Sequence, residues 1–586
     1  MSAETDDPFN SDWLVQSKSL ELSTVLLNNS KSLIPLRDLE KRKIAVVSVG
    51  AVFDEVFNST LSKYAPISPF KIVNTNLQRS VDTLNASLKF FNTVIIHAGE
   101  GTLKDLPLLT LVRELGKSKE VILVAHGNPN SLQFLDKSTS PLIWTSSNSP
   151  AAAAFTAQAV FGGIALSARL PQDISPAFTK GTGFSTKVSR LKYTVPEEVG
   201  IDSKELERPI DRIVDEAISQ KATPGAVVMI VKDGKVIFNK GYGNHTYKGG
   251  QRTRPEDIFD LASVTKIGAT TMAAMRLYEQ QKLKLDTNVG AYIPLARNTN
   301  KNNLSVKELL LHQAGLIPFI PFFEDLRAGD YSRDSSIFHS VKVADNYYLR
   351  ANYFEDIMWP RMLRSPLSGR GKYAYSDVSM YMMKDIIERL STERLDTYVA
   401  RQFYEPLGMY TAGFNPRNRF FKNRIVPTEQ DNFFRKTLLE GYVHDQGAAM
   451  AGGVSGHAGL FSTANDMAIL FQMMLNGGAY GDKQYFKQET IDLFTAKYSN
   501  VSRRGLGFDC WDPDRTNRYP SDLASAKSYG HTGYTGTCVW VDPEYNLIYI
   551  FLSNRVHPSV TNKLSSLRIR PRIQDAIYKA IRDGLD

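Results

Sequence analysis

Leu261-Ala262-Ser263-Val264-Thr265-Lys266 opens an apolar run from Ile267 to Leu285 whose spacing predicts a long helix. On a helix, residues three apart share a face with Cβ atoms about 5–6 Å apart, so Ser263 and Lys266 can meet at its N-terminus. Serine is a weak nucleophile at its free pKa, and an amine whose charge is disfavoured by burial or by a neighbouring cation can take its proton. A helix N-terminus adds free N–H groups and positive dipole where an oxyanion would form. A four-residue pattern with two fixed positions recurs by chance, so the pair gains meaning only from partners elsewhere in the chain.

Two stretches qualify as partners. Tyr375-Ser376-Asp377 follows the loop signal Gly369-Arg370-Gly371 and precedes a helical pattern from Val378 to Leu390; a phenol there can shuttle protons, and Asp377 can hydrogen-bond Lys266. His531-Thr532-Gly533 precedes the strand pattern Thr537 to Val541. The surrounding elements suit one domain. An amphipathic helix, Ser203 to Gln220, is followed by strands Gly225–Val231 and Lys235–Lys240 around Asp233-Gly234, a hairpin signal. Strands Cys538–Val541 and Leu547–Leu552 and a helix from Ile569 to Leu585 close the chain. The two ends are expected to build one antiparallel sheet, with the terminal helices on one face and the helix-rich 270–500 region on the other.

The set resembles the penicillin-recognising serine hydrolases, whose motifs are S-x-x-K, then Y-x-N or S-x-N, then K-T-G. The tyrosine version is similar to the branch holding class C β-lactamases, D-alanyl-D-alanine peptidases and related esterases, and covers residues 196–586. Leu309-Leu310-Leu311-His312-Gln313-Ala314-Gly315-Leu316 and the glycine-rich stretch Gly452 to Ala464, with Asp466, resemble segments of the same family. The resemblance implies Ser263 as acylated nucleophile, Lys266 as its general base and Tyr375 as the group that activates water or protonates the leaving group. It implies an oxyanion hole from the N–H groups of Ser263 and Tyr534, and substrate contacts from His531 and Thr532 beside Gly533. His312 and His457 are read as structural. Two departures matter. Asp377 stands where Asn is usual, and a carboxylate near Lys266 favours the charged amine. His531 stands where Lys is usual, and an imidazole with an unperturbed pKa near ~6.5 is mostly neutral at pH 7, so it holds a substrate carboxylate less firmly. Ester or D-amino-acid peptide hydrolysis is therefore favoured over efficient β-lactam hydrolysis.

The first half reads differently. Near-continuous apolar runs, Lys43–Gly50, Thr93–Ala98, Glu120–His126 and Pro141–Thr145, alternate with helical patterns over Val15–Asn28, Asp54–Tyr64, Leu84–Phe90, Asp105–Lys117 and Pro150–Phe161. That alternation predicts a parallel-sheet α/β sandwich over residues 15–172, behind a polar tail, 1–14. Ligands of such sheets bind beyond the strand C-termini, where His97, Glu100 and His126 fall; these are read as hydrogen-bonded turn residues. Gly99-Glu100-Gly101 lacks the full dinucleotide fingerprint. Asn28 to Leu36, Phe161-Gly162-Gly163-Ile164 and Ser167-Ala168-Arg169-Leu170-Pro171 resemble the C-terminal α/β domain of glycoside hydrolase family 3, in the bacterial N-acetylglucosaminidase branch that carries a β-lactamase-like domain behind it. In that family the catalytic carboxylate and the acid/base group lie on an N-terminal barrel of about 250 residues, and nothing before Val15 supplies one. This polypeptide alone is therefore expected to release no aryl alcohol from an aryl N-acetylglucosaminide; measurable release would contradict that. Residues 173–195, rich in Pro, Ser, Thr and Gly, read as a linker or domain-crossing arm.

A chain of 586 residues exceeds one hydrophobic core, and 42% hydrophobic with 22% charged residues is ordinary for a globular protein. The net charge of +9 is scattered, so no nucleic-acid partner is expected. Only Cys510 and Cys538 are present, with no C-x-x-C or H-E-x-x-H; no metal and no other cofactor is expected. No run reaches the ~18 apolar residues of a membrane span. The acidic start lacks the signature of a signal peptide, which gives a cytoplasmic protein, or a periplasmic or cell-envelope one if the chain is a piece of an exported parent. The expected partner is a small-molecule or peptide substrate, cell-wall peptides included. The alternative reading is a catalytically silent binding or accessory module of a larger family 3 β-N-acetylglucosaminidase. Oligomeric state is left open.

Overall fold

The computed structural model describes residues 10–72, 83–84, 86–514 and 520–584. Most of the expected tail, Asn85 within the expected helix 84–90, and Leu585 at the end of the expected closing helix lie outside the described residues. The chain divides into two compact units: Met1–Glu198 with Glu405–Tyr410 and Tyr480–Lys483, and Val199–Tyr404 with Thr411–Ala479 and Gln484–Asp586. Among the described residues no helix is long and apolar enough to cross a membrane.

The first unit holds β1 (Val25–Leu27), β2 (Ile44–Val49), β3 (Ile67–Ile72), β4 (Thr93–Ala98), β5 (Glu120–His126) and β6 (Leu142–Thr145), in the order β1-β6-β5-β4-β2-β3. From β3 to β6 the neighbours run parallel, but β1 joins β6 antiparallel, so the sheet is mixed. Two local expectations change. The helix expected over Val15–Asn28 is Asn10–Ser23, and Val25–Leu27, fully buried, pairs as a strand. Apolar side chains on three successive residues suit a strand covered on both faces better than a one-sided helix. Strand β3 escapes the apolar pattern because Pro69 and Lys71 interrupt it, which an edge position tolerates.

Ala45, Val47 and Val49 of β2 and Val94, Ile96 and Ala98 of β4 share a core with Leu108, Leu111 and Leu115 of the helix Leu106–Leu115. His97 points the other way, where Phe57 of the helix Asp54–Leu61 stacks on it at 4.1 Å. Its Nε2 lies 3.1 Å from Nε2 of His126, whose Nδ1 donates to the Ser147 carbonyl at 3.0 Å. Burial, then the second imidazole, pushes His97 down to about 3. Within segment 173–195, Phe178 joins the core cluster, and the N–H groups of Phe184 and Thr186 donate to the carbonyls of Leu26 and Leu166, both at 2.8 Å.

In the second unit, β7 (Gly225–Lys232), β8 (Lys235–Gly243), β9 (Asp509–Cys510), β10 (Tyr529–Thr532), β11 (Cys538–Asp542) and β12 (Leu547–Ser553) run antiparallel in the order β9-β10-β11-β12-β7-β8. Asp233 and Gly234 have φ of 53° and 72°, the paired positive values of the tight hairpin turn that their sequence signals. The chain ends meet as expected: β12 pairs with β7 from Leu547↔Lys232 to Ser553↔Ala226. Leu206 and Ile210 of the helix Ser203–Ser219 and Ile573 and Ile577 of Ile569–Asp583 share a core with Tyr549 and Phe551 of β12. The helix Ala464–Leu475 packs against the same central strands, and β12 is buried along its whole length.

Candidate active site

Ser263 lies on a single 3-10 turn, Ala262–Val264, followed by a π-helical turn, Lys266–Thr270, and then the α-helix Thr271–Glu279. The single long helix expected from the apolar run is therefore three short pieces. The residue just before the serine is itself unusual. Ala262 has φ 47°, in the left-handed region, a conformation that costs about 1–3 kcal/mol and persists only where its surroundings hold it. The buried Asp260 carboxylate holds it, accepting the Ala262 N–H at 2.9 Å and the His444 N–H at 2.7 Å. A π turn is itself uncommon and concentrates at functional sites.

Ser263 Oγ receives two donors. Lys266 Nζ lies 3.1 Å away and Tyr375 Oη, donating, 2.9 Å away. The ammonium has three hydrogens to place: the others go to Asp377 Oδ1 at 2.8 Å and the His457 carbonyl at 3.2 Å. Lys266 is fully buried. Burial alone would push the amine down, but the Asp377 carboxylate and then Tyr375 outweigh it, so the amine is held above its ordinary value. At neutral pH the resting site thus contains an ammonium, and Lys266 is not a free base in that state. Burial likewise raises the Tyr375 phenol, against the opposing pull of Lys266. Tyr375 and Asp377 reach the site from either side of Ser376, at the start of the helix Asp377–Ser391.

The segment after β10 lies along the Ser263 turn. Thr535 Oγ1 donates to the Asp260 carbonyl at 2.8 Å and Thr537 Oγ1 to the Leu261 carbonyl at 3.0 Å. A Cβ on Gly533 would stand 2.5 Å from that Leu261 carbonyl oxygen, so only glycine lets the two backbones approach. Tyr534 is half exposed and stacks on His444 at 5.1 Å. Thr532 pairs with Cys538 at the end of β10. The His531 ring lies 6.2 Å from that of Tyr375, and its Nδ1 donates to the Thr532 carbonyl at 2.7 Å. Burial, then the Arg504 cation, pushes His531 down to about 3. It is neutral at pH 7, as its residue type implies and by a wider margin.

One neighbour was invisible as a motif. Arg504 is buried, with Nε 3.2 Å from Asp509 Oδ1 and its guanidinium 5.3 Å from the centre of the Tyr375 ring. In sequence it is one of two arginines in a polar loop, which reads as solvated surface. His312, read as structural, accepts the Ser376 N–H on Nδ1 at 3.2 Å and lies 4.6 Å from the Tyr375 ring, so it props the segment that carries Tyr375. His457 bridges Ser455 Oγ and Asp445 Oδ1 through its two ring nitrogens, at 2.9 and 2.8 Å. The Asp445 carboxyl, despite burial, is held well below the usual range by His457. Asp377, Asp445 and His457 bring ligand-type atoms within 4.8 Å of one another. Each is already engaged: Asp377 by Lys266, Asp445 by His457 and the Ala448 N–H. A cation there would have to displace the Lys266 ion pair.

His531, His312 and His97 are all depressed by burial. Their unfolded forms bind protons from about pH 6.5 downward while the folded forms do not. Their contribution to stability is therefore complete above pH 6.5 and falls as pH drops toward 3. Thermal unfolding followed by circular dichroism is expected to show Tm declining from pH 7 to 5, the three imidazoles outweighing the opposite contribution of the Asp466 carboxyl, which burial raises to about 6; a flat Tm over that interval would contradict the buried neutral imidazoles.

A serine hydroxyl receiving both an amine and a phenol, docked against the edge of an antiparallel sheet, defines a β-lactamase-like serine hydrolase. The family model described as Beta-lactamase matches residues 210–570. That is more than half of the chain, and the chain belongs to this family. Residues 1–198 of the first unit lie outside the match. "N-acetylmuramyl-L-alanine amidase" of Bacillus subtilis (strain 168) is 34% identical over 381 residues, covering 60% of this chain and 82% of that protein. "Putative D-alanyl-D-alanine carboxypeptidase" of Escherichia coli (strain K12) is 32% identical over 412 residues, covering 64% and 90%. Among solved structures, "EstCE1, a hydrolase with promiscuous acyltransferase activity" is 20% identical, covers 64% of this chain and 99% of its own, and has a TM-score of 0.48.

Proposed function

We propose that the protein hydrolyses esters or D-amino-acid, cell-wall-related peptides through an acyl-enzyme on Ser263. The observation that carries this reading is the convergence of Lys266 Nζ and Tyr375 Oη on Ser263 Oγ. In the proposed reaction Oγ attacks the substrate carbonyl carbon and its proton passes into the Tyr375–Lys266–Asp377 group. For Lys266 to accept it as a base the amine must first be neutral, a state that the 2.8 Å contact to Asp377 disfavours and that higher pH supplies. The N–H groups of Ser263 and Tyr534 hold the oxyanion, each contributing about 3–4 kcal/mol if they act as such donors do elsewhere. Tyr375 returns the proton to the leaving group, and water attacks the ester in the second half-reaction. His531 and Thr532 contact substrate. The names of the two relatives favour cell-wall peptides as the substrate class, and hence a cell-envelope location. A neutral His531 and an acidic Asp377 argue against efficient β-lactam turnover.

The first unit is proposed as an accessory module similar to the C-terminal domain of glycoside hydrolase family 3, on the strength of its largely parallel sheet and the stretches quoted above. The second reading, a silent binding module, is favoured by one observation: the resting amine is charged and fully engaged. A screen of wild type and Ser263→Ala with a β-lactam, a p-nitrophenyl ester and a D-Ala-D-Ala peptide separates the readings. Turnover of at least one donor by the wild type only supports the enzyme; no turnover of any supports the silent module.

A further inference from the structure

Beside the catalytic tyrosine segment lies a cavity of about 620 Å³ lined by Ile317, Phe319, Ile320, Ile357, Arg361 and Arg364, with prolines 321, 360 and 366. Its volume falls in the ~300–1,000 Å³ range of small-molecule sites. Chain geometry ties it to the segment that carries Tyr375 and Asp377. Residues 312–316 run antiparallel to 367–374, with N–H groups of Ser368, Gly371 and Ala374 donating to the carbonyls of Gly315, Gln313 and His312 at 2.8, 2.8 and 2.9 Å, and just beyond them Ser376 Oγ donates to the Ile317 carbonyl and Asp377 N–H to the Pro318 carbonyl at 2.7 and 3.0 Å. Phe319 therefore follows directly on the residue that anchors Asp377. Phe319 and Ile357 are 44% and 40% exposed, a large apolar surface for side chains at a cavity mouth.

The charges around this cavity do not cancel. Asp356 is taken by Arg350 at 2.7 Å, and Arg361 by Asp325. Arg364 is exposed and has no hydrogen-bond or ion-pair partner among the described residues. An apolar cavity with one uncompensated guanidinium is complementary to an apolar chain that ends in a carboxylate.

We propose that this cavity is the substrate-selecting subsite of the Ser263 reaction and takes an apolar acyl group bearing a terminal carboxylate, with Arg364 as its anchor. The proposal rests on the hydrolase reading above. Two p-nitrophenyl esters of equal acyl length test it, the hexanoate and the adipate monoester. The wild type is expected to favour the adipate monoester in kcat/KM by about tenfold or more, the size of one charge-assisted contact. Arg364→Gln removes that preference and Arg364→Lys restores part of it. Ile357→Ser lowers kcat/KM for both esters, leaving their ratio unchanged. Equal rates for the two esters in the wild type, or an unchanged ratio in Arg364→Gln, would overturn the subsite. A binding arm keeps the two readings apart: calorimetric titration of Ser263→Ala with monomethyl adipate is expected to saturate and to weaken about tenfold when Arg364→Gln is added. Saturable, Arg364-dependent binding without turnover upholds the subsite and removes the hydrolase; turnover of simple esters with no such binding upholds the hydrolase and removes the subsite.

Discussion

Ser263→Ala is expected to lower kcat/KM for every substrate of the protein by about 10⁴-fold or more, the scale on which loss of a serine nucleophile acts in other hydrolases. The substitution deletes one oxygen that accepts from Lys266 and Tyr375. It leaves the Lys266 contacts to Asp377 and the His457 carbonyl in place, along with the Asp260 clamp on the preceding turn. Unfolding temperature should therefore move by only a few degrees, as for the loss of about 1 kcal/mol. Steady-state kinetics paired with a thermal melt checks both halves. A variant that keeps wild-type turnover would show that Ser263 is not the attacking group; one that loses activity together with its cooperative melt would assign the residue a structural role.

Asp377→Asn is expected to move the rising limb of the pH profile of kcat/KM toward acid by about 1 unit or more, within the 1–3 units that a single opposing charge supplies. The sign follows from the balance at Lys266. In the wild type the Asp377 carboxylate outweighs burial and the amine sits above its ordinary value, so the neutral, proton-accepting amine appears only at alkaline pH. An amide keeps the shape and loses the charge. Burial then dominates and the neutral amine becomes available at lower pH, which raises activity near neutrality if Lys266 is the base. A limb that stays put or moves to higher pH would place the base elsewhere, with Tyr375 the remaining group on Ser263 Oγ. The same ion pair has a stability counterpart: a raised Lys266 pKa stabilises the fold below the unfolded lysine value and loses that contribution as pH rises through the folded one. The variant should accordingly show less loss of Tm than the wild type between neutral and strongly alkaline pH.

Much of this site was legible because its chemistry is concentrated in short motifs on element ends. Ser263, Lys266, Tyr375 and Asp377 converge as their order and context imply, and His531 joins them through the Tyr375 ring. The pairing of β7 with β12, far apart in sequence, was readable from two apolar runs that each needed a second strand. What stayed hidden has physical reasons. The break of the Ser263 helix into 3-10, π and α turns goes with the positive φ of Ala262, which the apolar spacing of the run does not report. Arg504 acts through burial, and a buried arginine looks like any surface arginine until its carboxylate and aromatic neighbours are in place. Strand β3 carries Pro69 and Lys71 because an edge permits them, so its pattern resembles a loop. His457 contributes a backbone carbonyl to Lys266, a role that no side-chain identity encodes.

The most direct measurement is covalent labelling. Wild type and Ser263→Ala are treated with a fluorophosphonate, digested and mapped by mass spectrometry. A single adduct on the peptide that contains Ser263, absent from the variant, is the expected result. Failure of the wild type to label, or equal labelling of both proteins, would contradict a nucleophilic Ser263.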